Sequence, residues 1–483
     1  MIRTRIAPSP TGEPHIGNIY TALLNYAYAK GHGGQFILRI EDTDRERFVS
    51  GAEQQIKEAL DWLDIAPDEG PGQGGAFGPY RQSDKLEVYQ QKAQELIESG
   101  YAYLCFCSSE RLDAMRKEQQ TKSLQPKYDR HCLSLSKDEI KKRLDNNEPY
   151  VIRLKVPDEG QTKFNDLIRG EVIFENQLID DQILLKSDGY PTYHLAVVVD
   201  DYAMKINPII RAEEWISSTP KQILLYQAFG WEVPQFAHTP LLRNLDGSKL
   251  SKRRNAVSVL WYKEQGFLSE ALKNYLVRLG WSHPQDKEVF DYAEFIKLFD
   301  FDRVCTSAPV FDIQKLEWLN GVYIREKLSD KEYQQYFYDF IPGWIKVLPD
   351  SESRLVQLAP LFRERLKRFA EVPELINYFF ADEIEIDLEL LIKQAKSKEI
   401  AREMLEAVLG ELTDLSQWEK PVIEKKLRSL GETRGWKNRP FFMTLRVAAS
   451  GCIATPPLFD TLFVLGEEKV ISRFKKVLAG LMV

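Results

Sequence analysis

The 483-residue chain lacks any uninterrupted apolar run of membrane length, and its start lacks the apolar core of a secretory signal. Both absences lead to the expectation of a cytoplasmic protein without a membrane-spanning helix. Cysteine is scarce: five residues without a regular framework suit a reducing compartment and exclude a disulfide scaffold. A Walker-type Gly-Lys-Ser/Thr sequence is missing, which excludes a P-loop enzyme. Gly70-x-Gly72-x-x-Gly75 has the letters of a dinucleotide fingerprint, but it follows no strand and opens no helix, so Pro67 to Pro79 reads as a surface loop. No internal repeat or low-complexity segment stands out. Nor is there a strong excess of one charge. A formal charge of -7 with 28% charged residues argues against bulk electrostatic binding to nucleic acid and leaves local basic patches open.

What is present is concentrated at the start. Ile2 to Ile6 reads as a short buried strand. The Pro/Gly-rich stretch Ala7 to Gly17 cannot be regular structure, because proline lacks an amide donor and glycine invites unusual backbone angles. Ile19, Ala22, Leu23, Tyr26 and Ala27 recur at helical spacing, and Gly31, Gly33 and Gly34 stop that helix. Gln35 to Ile40 is a second strand, ending at Glu41-Asp42-Thr43-Asp44. Strand, helix, strand in so few residues is a parallel unit with a right-handed crossover, which binds ligands at the carboxyl edge of its strands. Helices are expected over Glu53 to Leu63, residues 83–99 and Leu112 to Glu118. Strands are expected over Tyr150 to Val156, Val172 to Phe174 and Gln182 to Leu185. The apolar run Tyr193 to Val199 reads as another buried parallel strand, which makes residues 101–190 an insert that splits one sheet. A helix over Thr219 to Phe229 and a strand over Phe236 to Leu242 follow, and beyond about residue 255 the pattern is helical to the end.

Two distant segments suit one polyphosphate. In the first, His15-Ile16-Gly17-Asn18 opens a helix, whose amino end favours anions. Gly17 there lets a flat base approach the backbone. The second is Gly247-Ser248-Lys249-Leu250-Ser251-Lys252-Arg253-Arg254, where Lys249 and Lys252 could close on phosphate as charge builds in a transition state. Taken alone, each has a bland reading, a structural histidine and a solvated basic loop.

Together these blocks resemble class I aminoacyl-tRNA synthetases. Arg5-x-Ala7-Pro8-Ser9-Pro10-Thr11-Gly12-x-x-His15-Ile16-Gly17 looks like their "HIGH" signature in its glutamyl form, and Lys249-Leu250-Ser251-Lys252-Arg253 is similar to their "KMSKS" loop. Arg39 to Asp44, Ser187 to His194 and Ile210 to Trp215 also match glutamyl-tRNA synthetases of the bacterial type, in order, from residue 1 to about 325. The resemblance implies a Rossmann-type α/β catalytic domain (1–80 and 194–245) split by an α+β acceptor-stem-binding insert (81–193). A stem-contact domain (246–326) and all-helical anticodon-binding domains (327–398 and 399–483) would follow. It assigns Arg5, Ala7, Ser9, Glu41, Tyr193 and Arg211 to glutamate. It assigns His15, Gly17, Asn18, Glu214, Leu242 and the Lys249–Leu250–Ser251–Lys252–Arg253 loop to ATP, with His15, Gly17, Lys249 and Lys252 as the catalytic set. The residue types suit that chemistry: arginine forks match carboxylates, and a carboxylate matches the substrate ammonium. A neutral glutamine would leave buried arginine charge unpaired. One departure is Val197, where relatives often carry asparagine four residues after the tyrosine.

Within the insert, Cys105, Cys107, Tyr128 and Cys132 resemble the zinc knob of some of these enzymes and of shorter tRNA-modifying relatives, although Ser134 stands where some carry histidine. Free, partly buried cysteines are the alternative. In the tail, eight Lys/Arg against two Asp/Glu lie between Lys420 and Arg446, interleaved with Trp436, Phe441 and Phe442, a composition suited to unstacked anticodon bases. The alternative there is a charged helical surface over core aromatics. Arg363 or Arg365 could read the anticodon, as an arginine does in some members. The expected activity is ATP-dependent attachment of L-glutamate to tRNA(Glu) through glutamyl-adenylate, by a monomer, with Mg2+ on the phosphates and Zn2+ a further candidate. The competing readings are a non-discriminating enzyme that also charges tRNA(Gln), a tRNA-base modifier, and a catalytically inactive tRNA-binding regulator.

Overall fold

The structure, a computed structural model, describes residues 1–250 and 257–482. Strand β1 (Arg3–Ile6), helix α1 (Ile16–Gly31) and strand β2 (Gln35–Leu38) form the expected unit, with β1 parallel to β2 from Arg3↔Gln35 to Ile6↔Leu38. Gly33 takes φ +64° to end α1, and the Gly34 amide donates back to the Ala29 carbonyl. Gly34 has no room for a side chain, because a Cβ there would lie 2.3 Å from the Ile2 carbonyl oxygen.

The chain continues through α2 (Ala52–Trp62), α3 (Leu86–Glu98), β3 (Ala102–Cys105), α4 (Ser109–Thr121), α5 (Lys137–Asp145) and β4 (Val151–Leu154). Strands β5 (Gln161–Asp166), β6 (Gly170–Glu175) and β7 (Ile183–Leu185) precede α6 (Tyr193–Ala203), β8 (Ile209–Ala212), α7 (Thr219–Ala228) and β9 (Phe236–Thr239). β8 and β9 are parallel, and Arg3 and Asn207 exchange backbone hydrogen bonds of 3.3 and 2.9 Å that set the start of β8 beside β1. The long insert thus interrupts one layer of parallel strands, as expected. It also returns to that layer, because the β5–β6 hairpin meets β9 at Asp166↔Phe236. β3, β4 and β7 form a separate antiparallel sheet.

The expectation of a strand over Tyr193 to Val199 is overturned: the segment is helix α6. Leu195, Ala196, Val197, Val198 and Val199 are all buried, packed in one core with Tyr89, Leu154, Leu184 and Leu225. Over residues 195–199 the helix is buried whichever way a side chain faces, so this stretch is apolar throughout and carries no amphipathic period to distinguish it from a strand. Val197 belongs to this core.

Residues 264–268 and 317–483 form a second compact unit. Its described regular elements are helices only, among them Lys398–Thr413, Lys420–Thr433, Asn438–Ser450 and Glu467–Met482, which bears out the helical tail. No helix among the described residues is long and apolar enough to cross a membrane.

Candidate active site

At the carboxyl ends of β1, β2 and β8 lies a cavity of about 790 Å³, where an open parallel sheet is expected to bind ligands. Its wall includes Arg5, Ala7, Ser9, Asn18, Glu41, Tyr193, Arg211 and Glu214, so the glutamate set proposed from sequence converges on one space. His15 and Gly17 are not part of this wall. They form the start of α1 beside it, where His15 Nδ1 accepts the Gly17 amide at 3.0 Å. That contact leaves the imidazole proton on Nε2. A Cβ at Gly17 would sit 3.2 Å from His15 Nδ1, so the small residue keeps this cap closed.

The floor is a cluster of buried charges. Arg5 donates through Nε and Nη2 to Asp201 at 3.0 and 3.2 Å, and through Nη1 to the Ile210 carbonyl at 3.2 Å. Arg39 donates to Asp201 at 2.6 Å and to Glu41 at 3.0 Å. Asp200 accepts from Lys85, from Gln82 at 2.9 Å and from Tyr89. Three cations (Arg5, Arg39, Lys85) thus face three carboxylates (Glu41, Asp200, Asp201), and the cluster is electrically closed. Burial raises the Glu41 pKa, partly offset by Arg39; for Asp201 the two arginines overcome burial and hold the carboxyl below its usual range.

Arg211 differs. Its Nε donates to His238 Nε2 at 3.1 Å, Nη2 to Thr219 Oγ1 at 2.9 Å and Nη1 to the Tyr193 hydroxyl at 3.4 Å. Among the described residues no carboxylate pairs with it, and burial depresses its pKa. A buried guanidinium held only by neutral groups is a costly arrangement until an anion arrives. The neighbouring acids do not serve: Glu213 pairs with Arg169 and Glu214 with Lys249 at 2.7 Å.

Glu214 brings the second phosphate segment to the cavity. Asn244 to Lys249 forms a turn in which Asn244 donates through its amide and Nδ2 to Ser248 and the Ser248 amide donates to Asp246, with Gly247 at φ +77°, and Lys249 leaves it to meet Glu214. Leu242 and Leu250 are buried at its base. Ser251, Lys252 and Arg253 lie outside the described residues.

In the insert, Cys105, Cys107 and Cys132 bring their sulfurs within 4.8 Å of one another. The Tyr128 hydroxyl lies 3.3 Å from Cys105 Sγ and 3.2 Å from Cys107 Sγ, so the four residues named from sequence do meet. Hydrogen bonds from Cys132 and Tyr128 hold the Cys105 thiol pKa below its ordinary value, which favours a thiolate. Arg111 donates to Cys107 Sγ at 3.5 Å, and the Arg153 guanidinium lies 4.1 Å over the Tyr128 ring. Three sulfurs and one oxygen, partly buried with cations behind them, fit a tetrahedral cation of zinc type.

In the helical unit, Arg363 is committed internally: to the Ile324 carbonyl at 3.1 Å, to Asp330 at 2.6 Å and to the Leu328 carbonyl. Arg365 is exposed and makes no side-chain hydrogen bond or ion pair among the described residues. Phe441 is buried against Trp436 and Phe442, both of which are half-buried.

Sequence reasoning did not find Asp200, Asp201, Asp166 or His238. Asp200-Asp201 was the available signal: two adjacent carboxylates ending a wholly apolar run imply buried cations nearby.

The catalytic-domain model of class I tRNA synthetases for glutamate and glutamine (E and Q) matches residues 1–318, and an anticodon-binding-domain model matches residues 331–478. A "Glutamate--tRNA ligase" of Thermus thermophilus is 45% identical over 483 residues, covering 99% of this chain and 100% of the relative. One of a Marinomonas species is 45% identical over 467 residues, covering 97% and 93%. The crystal structure of a glutamate tRNA ligase from Elizabethkingia meningosepticum, in complex with its amino acid, superposes with a TM-score of 0.87 at 35% identity, covering 99% of both chains.

Proposed function

The chain belongs to the glutamate–tRNA ligases, class I synthetases, and from that premise we propose how its residues carry out the reaction. The activity is the ATP-dependent attachment of L-glutamate to tRNA through glutamyl-adenylate. The observation that carries the site assignment is Arg211: one buried positive charge without an anion, beside a closed cluster. Glutamate brings one net negative charge and glutamine brings none. A carboxylate on Arg211 and Tyr193 satisfies the cation, whereas a carboxamide presents an amine to donors that already point inward. Glu41 receives the substrate ammonium; Arg5, held flat by Asp201, Ala7 and Ser9 line the remaining wall.

The carboxylate nucleophile attacks the ATP α-phosphate, and charge builds on the phosphate oxygens as pyrophosphate leaves. The chain supplies positioning and opposite charge, not a covalent nucleophile. His15 and Gly17 shape the start of α1, Asn18 reaches the cavity, and Glu214 holds Lys249 until ATP displaces it; Lys249 and Lys252 are assigned the stabilisation of charge on the phosphates. Magnesium, arriving with ATP, would supply positive charge to the phosphates. The cysteine cluster with Tyr128 would hold zinc as a structural ion within the acceptor-stem insert, 81–193. Residues 246–326 contact the stem, and the helical residues 327–398 and 399–483 bind the anticodon; Arg365, exposed and unpaired, is the better placed of the two candidate arginines. The cognate tRNA is tRNA(Glu), and the enzyme works in the cytoplasm as a monomer.

Glutamate- and ATP-dependent pyrophosphate exchange, run with and without purified tRNA(Glu), tests this reading. Exchange is expected, and Arg211→Gln should raise the KM for glutamate at least a hundredfold while leaving that for ATP within about threefold. No exchange from folded protein under either condition would favour a tRNA-binding regulator instead.

A further inference from the structure

Arg211 does not stand alone behind the substrate. His238 on β9 accepts from Arg211 Nε through Nε2 at 3.1 Å, and its Nδ1 lies 2.6 Å from Asp166 Oδ2 on β5. Because Nε2 must accept, the proton is on Nδ1 and is donated to Asp166: the geometry fixes the tautomer. Asp166 is itself fixed as an acceptor by the backbone amides of Ile168 at 3.0 Å, Arg169 at 3.1 Å and His238 at 3.1 Å. All three side chains are buried, His238 completely. The Arg169 side chain, donating to the His238 carbonyl at 3.2 Å, locks the turn after β5 onto β9.

This chain solves a specific problem. An arginine that must bind a substrate carboxylate cannot be given a carboxylate of its own, since the two anions would compete for the same donors. A bare buried guanidinium, however, is badly solvated. A neutral imidazole between Arg211 and Asp166 supplies a polarised acceptor to Nε, the one guanidinium edge turned away from the cavity's phenol, and leaves Nη1 for the ligand. We propose that His238 and Asp166 are positioning residues that hold Arg211 oriented and cationic for the substrate carboxylate, and so set the discrimination between glutamate and glutamine. The inference rests on the assignment of Arg211 to glutamate.

Two substitutions at His238 separate the acceptor from the relay. In His238→Gln the amide oxygen can occupy the Nε2 position and still accept from Arg211. In His238→Asn the amide matches Nδ1, keeps the bond to Asp166 and leaves Arg211 Nε unsatisfied. Aminoacylation kinetics with saturating tRNA are expected to show the KM for glutamate raised at least tenfold in His238→Asn and threefold or less in His238→Gln. The KM for ATP should stay within twofold in both, and the ratio of kcat/KM for glutamate over glutamine should fall at least tenfold in His238→Asn. Asp166→Asn should show the same glutamate-only defect. Parallel losses for glutamate and ATP, or an unchanged glutamate-to-glutamine ratio, would overturn the proposal and leave a merely structural histidine. If His238→Asn does not fold, Asp166→Asn and His238→Gln decide the matter by the same ratio. An effect of Arg211→Gln without any effect of the three supporting variants would sink this inference alone; no effect of Arg211→Gln would sink the assignment beneath it.

Discussion

Replacing Asp201 with asparagine removes one charge from the floor of the cavity with almost no change of shape. In the native chain its two oxygens accept from Arg5 Nε and Nη2 and from Arg39 Nη1, at 3.0, 3.2 and 2.6 Å, and its side chain is 1% exposed. Three cations then face two carboxylates, and the new Nδ2 points a donor at one of the arginines. Removing one partner of a buried pair costs about 3–5 kcal/mol, chiefly as the penalty of the charge left behind. At about 2.1 cal/mol/K of unfolding entropy per residue, a unit of about 310 residues shifts by roughly 1.5 °C per kcal/mol, so a fall of about 5–8 °C in melting temperature is expected. The matched control is Glu118→Gln, which breaks an exposed pair with Lys122 and should shift stability by less than about 0.5 kcal/mol. Urea unfolding of the intact chain, followed by circular dichroism, measures both. Because Asp201 also holds Arg5 flat, the KM for glutamate should rise in the same variant. An Asp201→Asn protein that unfolds within about 1 kcal/mol of the parent would refute the claim that the cluster is a closed set of mutually dependent charges.

Gly34→Ala forces a Cβ to within 2.3 Å of the Ile2 carbonyl, which β1 and β2 together prevent from yielding; a loss of about 1–3 kcal/mol in urea unfolding is expected. Purified protein should carry close to one zinc per chain by elemental analysis, and Cys105→Ser or Cys132→Ser should lose the metal while glutamate activation, remote from the insert's cluster, falls much less than tRNA charging. Stability should decline as pH drops from about 6.5 to 4. Burial depresses the His238 pKa from 6.5 to about 4, so the unfolded chain takes up that proton first; the gap amounts to roughly 3 kcal/mol, present above 6.5 and lost through that window. His238→Gln should shrink the decline without abolishing it, because burial also pushes the His194 pKa down to about 3; an unaltered pH profile would contradict the assignment of a neutral imidazole.

How much of this was readable in the sequence depends on where each residue's partners lie. The strand–helix–strand opening was legible because its determinants are local: periodicity, a glycine stop and proline-rich loops all act within a few residues. Arg5, Glu41, Tyr193 and Arg211 were legible because they sit in ordered blocks at strand or helix ends. Their supports were not, for a physical reason. Asp166 lies 72 residues from His238, and Asp201 lies 196 from Arg5; nothing local marks such pairs except the oddity of a charge in an apolar stretch. That same oddity went unused at Tyr193 to Val199. A continuous apolar run gave a strand, yet the two aspartates that close it only make sense on α6, where Asp200 faces Lys85 and Asp201 faces Arg5 and Arg39. A strand over 193–199 would have had no reason to end in two buried acids. The conflict was present in the residues, and giving weight to the charges over the period would have located both the helix and the floor of the site.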